Sequence, residues 1–307
     1  MRSIAIVTVA TFVAFGSMVL PSAAASPDAK TCPAAPAQVR RDLSYVKTPV
    51  SDLQRLDLYA PARAASNGPC VPAPVVVWVH GGGWATGDKR NATADKVRLF
   101  NDLGYVFVSV NYRLAAPFAD ANHPRHPDLA NDVGASIAWL EANAHRYGGD
   151  GTRIALLGHS AGAHLVALVG TDPRFIERAG DDAADLRCVG SYDTASYDLV
   201  QRSSETRLVE NAFGSDIEVW KDASPVNHLE DRTKLPEFQV VVRGSPSRRA
   251  SESAFADAVQ AAGGTATVID AAGLSHGDVN RLIGAPGESV MTPAITEFVT
   301  GCLGQRA

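Results

Sequence analysis

A serine flanked by glycines at a two-residue spacing is the feature of this sequence that points most directly to chemistry. Ser160 lies in L-L-G-H-S-A-G-A-H (residues 156–164), between Gly158 and Gly162. The G-x-S-x-G pattern alone is weak, because glycine-rich turns occur by chance. Here it follows a strand-like run, R-I-A-L-L, and opens a helix-like run, A-G-A-H-L-V-A-L-V. That context is typical of a nucleophile elbow, where a tight strand-to-helix turn exposes a serine hydroxyl, so Ser160 is a predicted nucleophile.

A second motif suited to chemistry is H-G-G-G-W at residues 80–84, directly after the apolar run V-V-V-W-V. Three consecutive glycines let the backbone approach a reacting carbonyl group and direct N–H groups at it. Gly82 and Gly83 are the predicted donors, joined by the N–H of Ala161, the residue after the nucleophile. Loss of one such donor typically lowers a rate on the order of 10²–10³-fold. The two motifs together predict acyl transfer with an oxyanion hole.

Alternating strand-like and helix-like segments must position these motifs. The sequence predicts strands at residues 43–47, 53–59, 75–79, 105–111, 153–157, 188–192, 238–243 and 266–270. It predicts helices at residues 91–103, 128–145, 161–170, 251–262 and 292–303. This alternation predicts an α/β fold in one domain, with a mostly parallel sheet covered by helices on both faces.

Several motifs in a fixed order resemble those of a known family. H-G-G-G-W is followed by N-Y-R-L (111–114), G-H-S-A-G-A-H (158–164), A-S-P-V (223–226) and G-L-S-H-G (273–277). The combination resembles the α/β-hydrolase superfamily, in its hormone-sensitive-lipase-like or BD-FAE-like carboxylesterase branch, over about residues 40–300. The resemblance implies an eight-stranded sheet with the site above its carboxyl edge, and hydrolysis of carboxylic esters. It implies no metal and no cofactor.

The general base follows from chain order, because in this fold the triad histidine comes last. His276 fits, since it lies after the final predicted strand, in A-G-L-S-H-G-D. His80 is expected to brace the oxyanion loop instead. His159 and His164 flank the elbow and are expected to point away from the serine hydroxyl.

The acid is where the chain departs from the family pattern. Relatives carry an aspartate after the seventh strand, in a pattern like G-x-x-D, but this chain has Ser247 there. Asp193, after the sixth strand, is our preferred acid, although it also suits a strand-end cap, with Asp198 matching the family's Y-D-L. Glu252 or Asp270 is a second possibility, and a serine–histidine dyad or an inactive descendant without an acid is a third. An acid that orients the histidine is worth up to about 10⁴ in rate.

The first 25 residues are expected to form a signal peptide that is cleaved after Ala25. Arg2 precedes an almost unbroken apolar run, residues 4–20, and Ala23 to Ala25 form an A-x-A site. A retained membrane anchor is the alternative. Residues 26–40, rich in alanine and proline, are expected to be disordered, and residues 41–307 to form the catalytic domain of a secreted protein.

Four cysteines, an even number in a chain expected to be exported, predict two disulfides. In the parallel-sheet interpretation, with the first strand running up and the second down, Cys32 and Cys70 both lie at the lower edge. Cys188 begins the sixth strand and Cys302 ends the last helix, which places them low as well. The predicted pairs are therefore Cys32–Cys70 and Cys188–Cys302, away from the catalytic edge. Their spacing does not suit a zinc site.

Composition limits the partners. The net charge is −5 and the lysines and arginines are not clustered, which disfavours nucleic acid and anionic membranes as partners.

Residues 171–186 and 194–220 are expected to form a small lid or pocket wall, which favours short-acyl or small soluble esters. Amide or peptide hydrolysis, and non-catalytic binding after loss of the acid, are the alternatives. The sequence leaves the oligomeric state open.

Overall fold

The computed structural model describes residues 31–116, 120, 122–180, 186–201 and 206–304. The predicted signal peptide, residues 1–25, lies outside these ranges. Within them, no helix combines the length and the apolar character that crossing a membrane requires.

One sheet of eight strands, in the order β1-β2-β4-β3-β5-β6-β7-β8, forms the centre of the protein. β2 runs antiparallel to both of its neighbours, and the remaining pairs are parallel. This confirms the predicted α/β-hydrolase architecture with a mostly parallel sheet. The strands are β1 Gln38–Ser44, β2 Arg55–Ala60, β3 Ala73–Val79, β4 Val106–Val110, β5 Gly149–His159, β6 Leu186–Tyr192, β7 Glu237–Val242 and β8 Ala266–Asp270.

Helices cover both faces of the sheet and give it two apolar cores. The helices of the described residues are α1 Ala94–Asp102, α2 Asp128–Asn143, α3 Ala161–Thr171, α4 Arg174–Glu177, α5 Thr206–Phe213, α6 Ile217–Asp222, α7 Pro246–Ala261, α8 His276–Arg281 and α9 Met291–Leu303. On β3, Val75 and Val77 pack into the core under α2, α3 and α7, whereas Val76 and Trp78 pack into the core under α1 and α9. A strand buried on both faces has no polar face, which explains the unbroken apolar run.

The N-terminal segment departs from the sequence-based expectation. Residues 31–40 are not disordered, because Cys32 pairs with Ser66 in an isolated bridge and β1 already begins at Gln38. The first strand therefore starts five residues before the predicted one. Its side chains are mostly exposed, so burial imposes no alternating pattern that would reveal the strand in the sequence.

Both predicted cysteine pairs are joined in the structure. Cys32 and Cys70 have Cα atoms 4.7 Å apart, and those of Cys188 and Cys302 are 6.2 Å apart. The second bridge ties the start of β6 to the end of α9, at the edge of the sheet opposite the carboxyl ends of the parallel strands. The two bridges support the prediction of an oxidising compartment.

Removing the Cys188–Cys302 bridge by a double alanine substitution is expected to lower the free energy of unfolding by about 2–5 kcal/mol. The bridge closes a loop with a sequence separation of 114, against 38 for the other bridge. Because a longer loop loses more entropy when it is cross-linked, the matched Cys32/Cys70 double variant should lose roughly 1 kcal/mol less. Urea unfolding of the three proteins measures the difference, and a larger loss for the Cys32/Cys70 variant would contradict this ranking.

Candidate active site

The turn that carries Ser160 is strained and tightly packed. β5 ends at His159 and α3 begins at Ala161, so Ser160 alone makes the turn, with φ 57° and ψ −118°. Positive φ is uncommon for residues other than glycine, and strain of this kind clusters at functional sites. A Cβ atom on Gly162 would lie 2.3 Å from the carbonyl oxygen of Val79. The glycine is therefore needed for the close approach of α3 to β3.

Three side chains form a chain of hydrogen bonds at this turn. His276 Nδ1 lies 2.6 Å from Asp193 Oδ2, and His276 Nε2 lies 3.0 Å from Ser160 Oγ. Because a carboxylate only accepts, Nδ1 carries the proton, and the Ser160 hydroxyl donates to Nε2. The structure thus brings together the predicted nucleophile, the predicted base and the preferred acid.

The sheet and one helix bring these residues together. Asp193 directly follows β6, with φ 65°, and the Ser160 N–H donates to the carbonyl oxygen of Tyr192 across 3.0 Å. The ends of β5 and β6 are therefore joined beside the site. His276 is the first residue of α8, after the N-cap Ser275, whose hydroxyl accepts from the Asp278 N–H at 3.2 Å.

The electrostatics favour an ionised Asp193. Its side chain has no exposed surface, and burial alone raises the pKa of a carboxyl group. The hydrogen bond from His276 and the charges of Arg248 and Arg243 outweigh burial and lower the pKa of Asp193 to about 2. Asp193 is therefore an anion at neutral pH.

The other candidate acids lie away from His276. Glu252 accepts from the backbone N–H of Arg243 at 2.8 Å, and Asp270 pairs with Arg249 at 3.1 Å. Both carboxylates thus accept from donors other than His276, whereas the carboxylate of Asp193 accepts from His276 Nδ1.

Glu252 gives the protein a measurable pH dependence. Burial raises the pKa of Glu252 to about 7, from 4.5 for a free side chain, although the Arg243 N–H and the Arg248 charge oppose this shift. The folded state therefore holds this proton after the unfolded state has released it, so its contribution to stability is full below pH 4.5 and is lost as the pH rises towards 7. Between pH 4.5 and about 7 the wild type should lose stability relative to Glu252→Gln. The stability of the two proteins should depend on pH in the same way below pH 4.5. Urea unfolding at a series of pH values tests this, and parallel curves for the two proteins would contradict it.

The glycine loop lies against the elbow. A Cβ atom on Gly81 would lie 2.9 Å from the Cβ atom of Ser160, and one on Gly82, where φ is 126°, would lie 2.1 Å from the carbonyl oxygen of Thr86. Within the described ranges, the N–H groups of Gly82 and Gly83 donate to no protein acceptor. The loop thus leaves these N–H groups available near Ser160, and their role as an oxyanion hole stays a prediction.

Neighbouring side chains brace this loop. The ring of His80 stacks on Tyr112 at 4.6 Å, and the Tyr112 hydroxyl donates to the carbonyl oxygen of His80 at 3.1 Å. Further along the loop, the Lys89 N–H donates to Asn111 Oδ1 at 2.6 Å, and the Lys89 ammonium lies 2.8 Å from buried Asp57. These contacts hold the loop at both ends, and the bracing role of His80 stays a prediction.

His159 contributes to the site in a way the sequence did not predict. Its Nε2 lies 2.8 Å from the carbonyl oxygen of His276, and the two rings are 4.6 Å apart. Burial, together with the charge of His276, lowers the pKa of His159 to about 4. The ring is therefore neutral at pH 7, with Nε2–H donating to the backbone of the residue that carries the base. A histidine directly before an elbow serine is the only signal in the sequence, and it does not reveal this contact.

An open cleft of about 640 Å³ lies above these residues. Besides the glycine loop, Ser160 and His276, its wall includes Thr86, Asn91, Leu208 and Asn280. The His276 side chain is 48% exposed, so a substrate reaches it without a rearrangement.

Among the residues that the structure describes, two groups of side chains are close enough to share a metal ion. They are His159, Asp193 and His276 at the cleft, and Asp172, His228 and Asp231 below it. In each group a guanidinium already binds a carboxylate, Arg248 on Asp193 and Arg174 on Asp172, both at 2.6 Å. These positive charges disfavour a second cation.

Comparisons with known proteins agree with the fold. A family model described as BD-FAE matches residues 56–245. The "Probable carboxylic ester hydrolase LipM" and "Esterase LipC" of Mycobacterium tuberculosis (strain ATCC 25618 / H37Rv) are 34% and 33% identical, over 51% and 58% of this chain. These matches span 38% and 45% of the relatives' own lengths, less than half in each case.

Solved structures show the same architecture. The apo form of Thermogutta terrifontis esterase 2 superposes with a TM-score of 0.65 and 23% identity, over 86% of this chain and 92% of that one. A truncated carbohydrate esterase from gut microbiota gives a TM-score of 0.67 and 18% identity, over 87% and 96%. At these identities the similarity shows the fold alone. Because the family model covers more than half of the chain, this protein belongs to the BD-FAE family and has the α/β-hydrolase fold.

Proposed function

We propose that this protein is a serine hydrolase that cleaves carboxylic esters through an acyl-enzyme. The observation that carries the proposal is the hydrogen-bonded chain from Asp193 through His276 to Ser160, with distances of 2.6 and 3.0 Å. The curated relatives, named as ester hydrolases, support the reaction type. Because the carboxylate of Asp193 already binds His276, this hydrogen-bonded arrangement also favours a catalytic protein over a binding protein that lacks an acid.

Each side chain has one task in the proposed reaction. Ser160 Oγ attacks the carbonyl carbon of the ester while His276 Nε2 takes its proton, and Asp193 stabilises the resulting imidazolium. The N–H groups of Gly82, Gly83 and Ala161 donate to the oxyanion of the tetrahedral intermediate. His276 then returns the proton to the leaving alcohol, and water releases the acid from Ser160 by the same steps.

The proposed substrates are short-acyl or small soluble esters. Leu208 of α5 stands over the oxyanion loop, since a Cβ atom on Gly83 would lie 3.4 Å from its methyl groups. Three other side chains of the cleft wall, those of Thr86, Asn91 and Asn280, are polar. A long acyl chain would find little apolar surface there.

Turnover and covalent labelling together test this function. Purified protein should hydrolyse p-nitrophenyl acetate and butyrate faster than the matching p-nitroanilides, and a fluorophosphonate should modify Ser160, located by peptide mass spectrometry. Faster cleavage of the anilides would favour the amidase alternative. Neither turnover nor labelling would favour a non-catalytic binding protein.

We also propose that the protein is exported and that its catalytic domain, predicted at residues 41–307, begins with β1 at Gln38. The two disulfides support an oxidising compartment, and residues 1–25 have the pattern of a signal peptide. N-terminal sequencing of protein recovered outside the cytoplasm should begin at Ser26. A chain that retains Arg2 in a membrane fraction would favour an anchor instead.

A further inference from the structure

Two arginines hold the carboxylate that faces His276. Arg248 donates to Asp193 Oδ1 through Nε at 3.1 Å and through Nη2 at 2.6 Å. Arg243 donates to Oδ2 through Nη1 at 2.8 Å, beside the bond from His276 Nδ1. A carboxylate offers about four acceptor positions, so these four donors leave the carboxylate without free capacity and fix its plane.

The arginines come from the turn where the family pattern has its acid. Arg243 directly follows β7 and Arg248 lies in the first turn of α7, on either side of Ser247. The Ser247 hydroxyl lies 3.1 Å from that of Ser245 and makes no bond to His276. In this chain the β7–α7 turn therefore supplies cations that face an aspartate on the neighbouring strand.

Further bonds lock this arrangement to the histidine and to the core. Arg243 Nε donates to the carbonyl oxygen of Leu274 at 3.0 Å, two residues before His276. Buried Glu252 pairs with Arg248 Nε at 3.0 Å and accepts the Arg243 N–H at 2.8 Å. One cluster thus ties the aspartate, the loop before the histidine, and α7.

We infer that Arg248, supported by Arg243 and Glu252, is a positioning residue that holds Asp193 in the orientation needed to align His276 with Ser160. Arg248 lies outside the wall of the active-site cleft and borders a separate cleft between α7 and residues 195–201. It therefore acts through Asp193 and makes no contact with substrate. The inference rests on the proposed function, since its main readout is ester turnover.

The same cluster sets the charge around the base. Among the described residues, the charged and titratable groups on and around α8 are Asp193 after β6, His159 on β5, Lys96 on α1, Arg243 after β7, Arg248 and Glu252 on α7, and Asp278 and Arg281 on α8 itself. A guanidinium beside the pair opposes formation of the imidazolium, because like charges repel in a partly buried site. Removing the Arg248 charge should therefore favour the protonated histidine.

The test compares Arg248→Gln with Arg248→Lys. The glutamine loses both the charge and the two-donor fork, so kcat should fall roughly 10- to 100-fold while KM stays within about two-fold. The acidic limb of its pH–rate profile should move to higher pH, because one positive charge beside the His276–Asp193 pair is lost. The lysine keeps the charge and loses the fork, so its kcat should fall while its profile stays in place. Arg249→Gln, which removes a neighbouring arginine paired with Asp270, is the matched control and should match the wild type.

A readout without substrate separates this inference from the proposed function. In NMR spectra the downfield Nδ1 proton of His276, bonded to Asp193, should be present in the wild type and lost or broadened in Arg248→Gln. If the wild type is active and a folded Arg248→Gln variant has an unchanged kcat, pH–rate profile and proton signal, the inference is overturned. The proposed function is then unaffected. If Arg248→Gln does not fold, an Arg248→Lys variant with wild-type kcat would overturn it equally. If the wild type shows no ester turnover but the His276 proton signal is still lost in Arg248→Gln, the proposed function is contradicted and the positioning role is retained.

Discussion

Ser160→Ala is expected to lower kcat/KM for p-nitrophenyl butyrate on the order of 10⁶-fold, because no other group can form the acyl-enzyme. The fold should be unaffected, since the Ser160 side chain makes no capping bond to α3 and alanine has the same backbone preferences at this turn. Ester turnover with fluorophosphonate labelling measures the first effect, and thermal unfolding measures the second.

The matched control for this variant is Ser247→Ala, at the position where relatives carry the acid. Its hydroxyl is exposed and bonds only to Ser245 within the described residues, so it should keep the wild-type rate and the label. A Ser160→Ala enzyme within tenfold of the wild type would contradict Ser160 as the nucleophile.

Asp193→Asn should lower kcat by about 10⁴-fold. An amide removes the negative charge that stabilises the imidazolium, and its NH₂ group can donate to His276 Nδ1 and so favour the wrong tautomer. It also removes the counter-charge of Arg243 and one of the two carboxylates paired with Arg248, so thermal unfolding should be measured beside the kinetics.

Glu252→Gln and Asp270→Asn are the comparisons for this prediction. Asp270 is exposed and pairs with Arg249, so its amide variant should retain nearly full activity. Glu252→Gln should lose far less activity than Asp193→Asn, because its effect reaches His276 only through the arginines. Equal losses in the Asp193 and Glu252 variants would contradict Asp193 as the acid.

The sequence was sufficient for the parts of the site that local pattern determines. The elbow and the glycine loop each need specific residues in consecutive positions, because a Cβ atom on Gly82 or Gly162 would collide with backbone. Those constraints are written in the local sequence, and the structure brings both segments beside His276. The alternation of strands and helices likewise predicted the fold, since a parallel sheet needs a crossover between its strands.

The sequence left several candidates for the triad acid, because the choice depends on which residues lie beside His276 in the folded protein. Asp193 follows β6, Asp270 ends β8 and Glu252 lies in α7, and only their positions in space show which of them reaches His276. The role of Arg248 was hidden for the same reason, since it lies 55 residues from Asp193 in the sequence. The contact between His159 and the backbone of His276 also joins distant segments, 117 residues apart.

Elements without a strong hydrophobic pattern were the ones missed. α8 spans only His276–Arg281, with Val279 as its one buried residue, which is too short for a helical period to stand out. The start of α7 at Pro246 also came five residues earlier than predicted, because its first turn carries Ser247, Arg248 and Arg249 rather than apolar residues.

The bond between the Ser160 N–H and the Tyr192 carbonyl has a consequence for how the enzyme would fail under stress. It joins the strand ends that carry the serine and the aspartate, so these two groups separate only if the centre of the sheet opens. The histidine instead stands on a short helix that follows β8, the strand at the rim of the sheet. We expect local unfolding of β8 and α8 to displace His276 and stop the proposed turnover while the rest of the sheet stays folded. We therefore expect inactivation by this route to be reversible, because only the rim would have to refold.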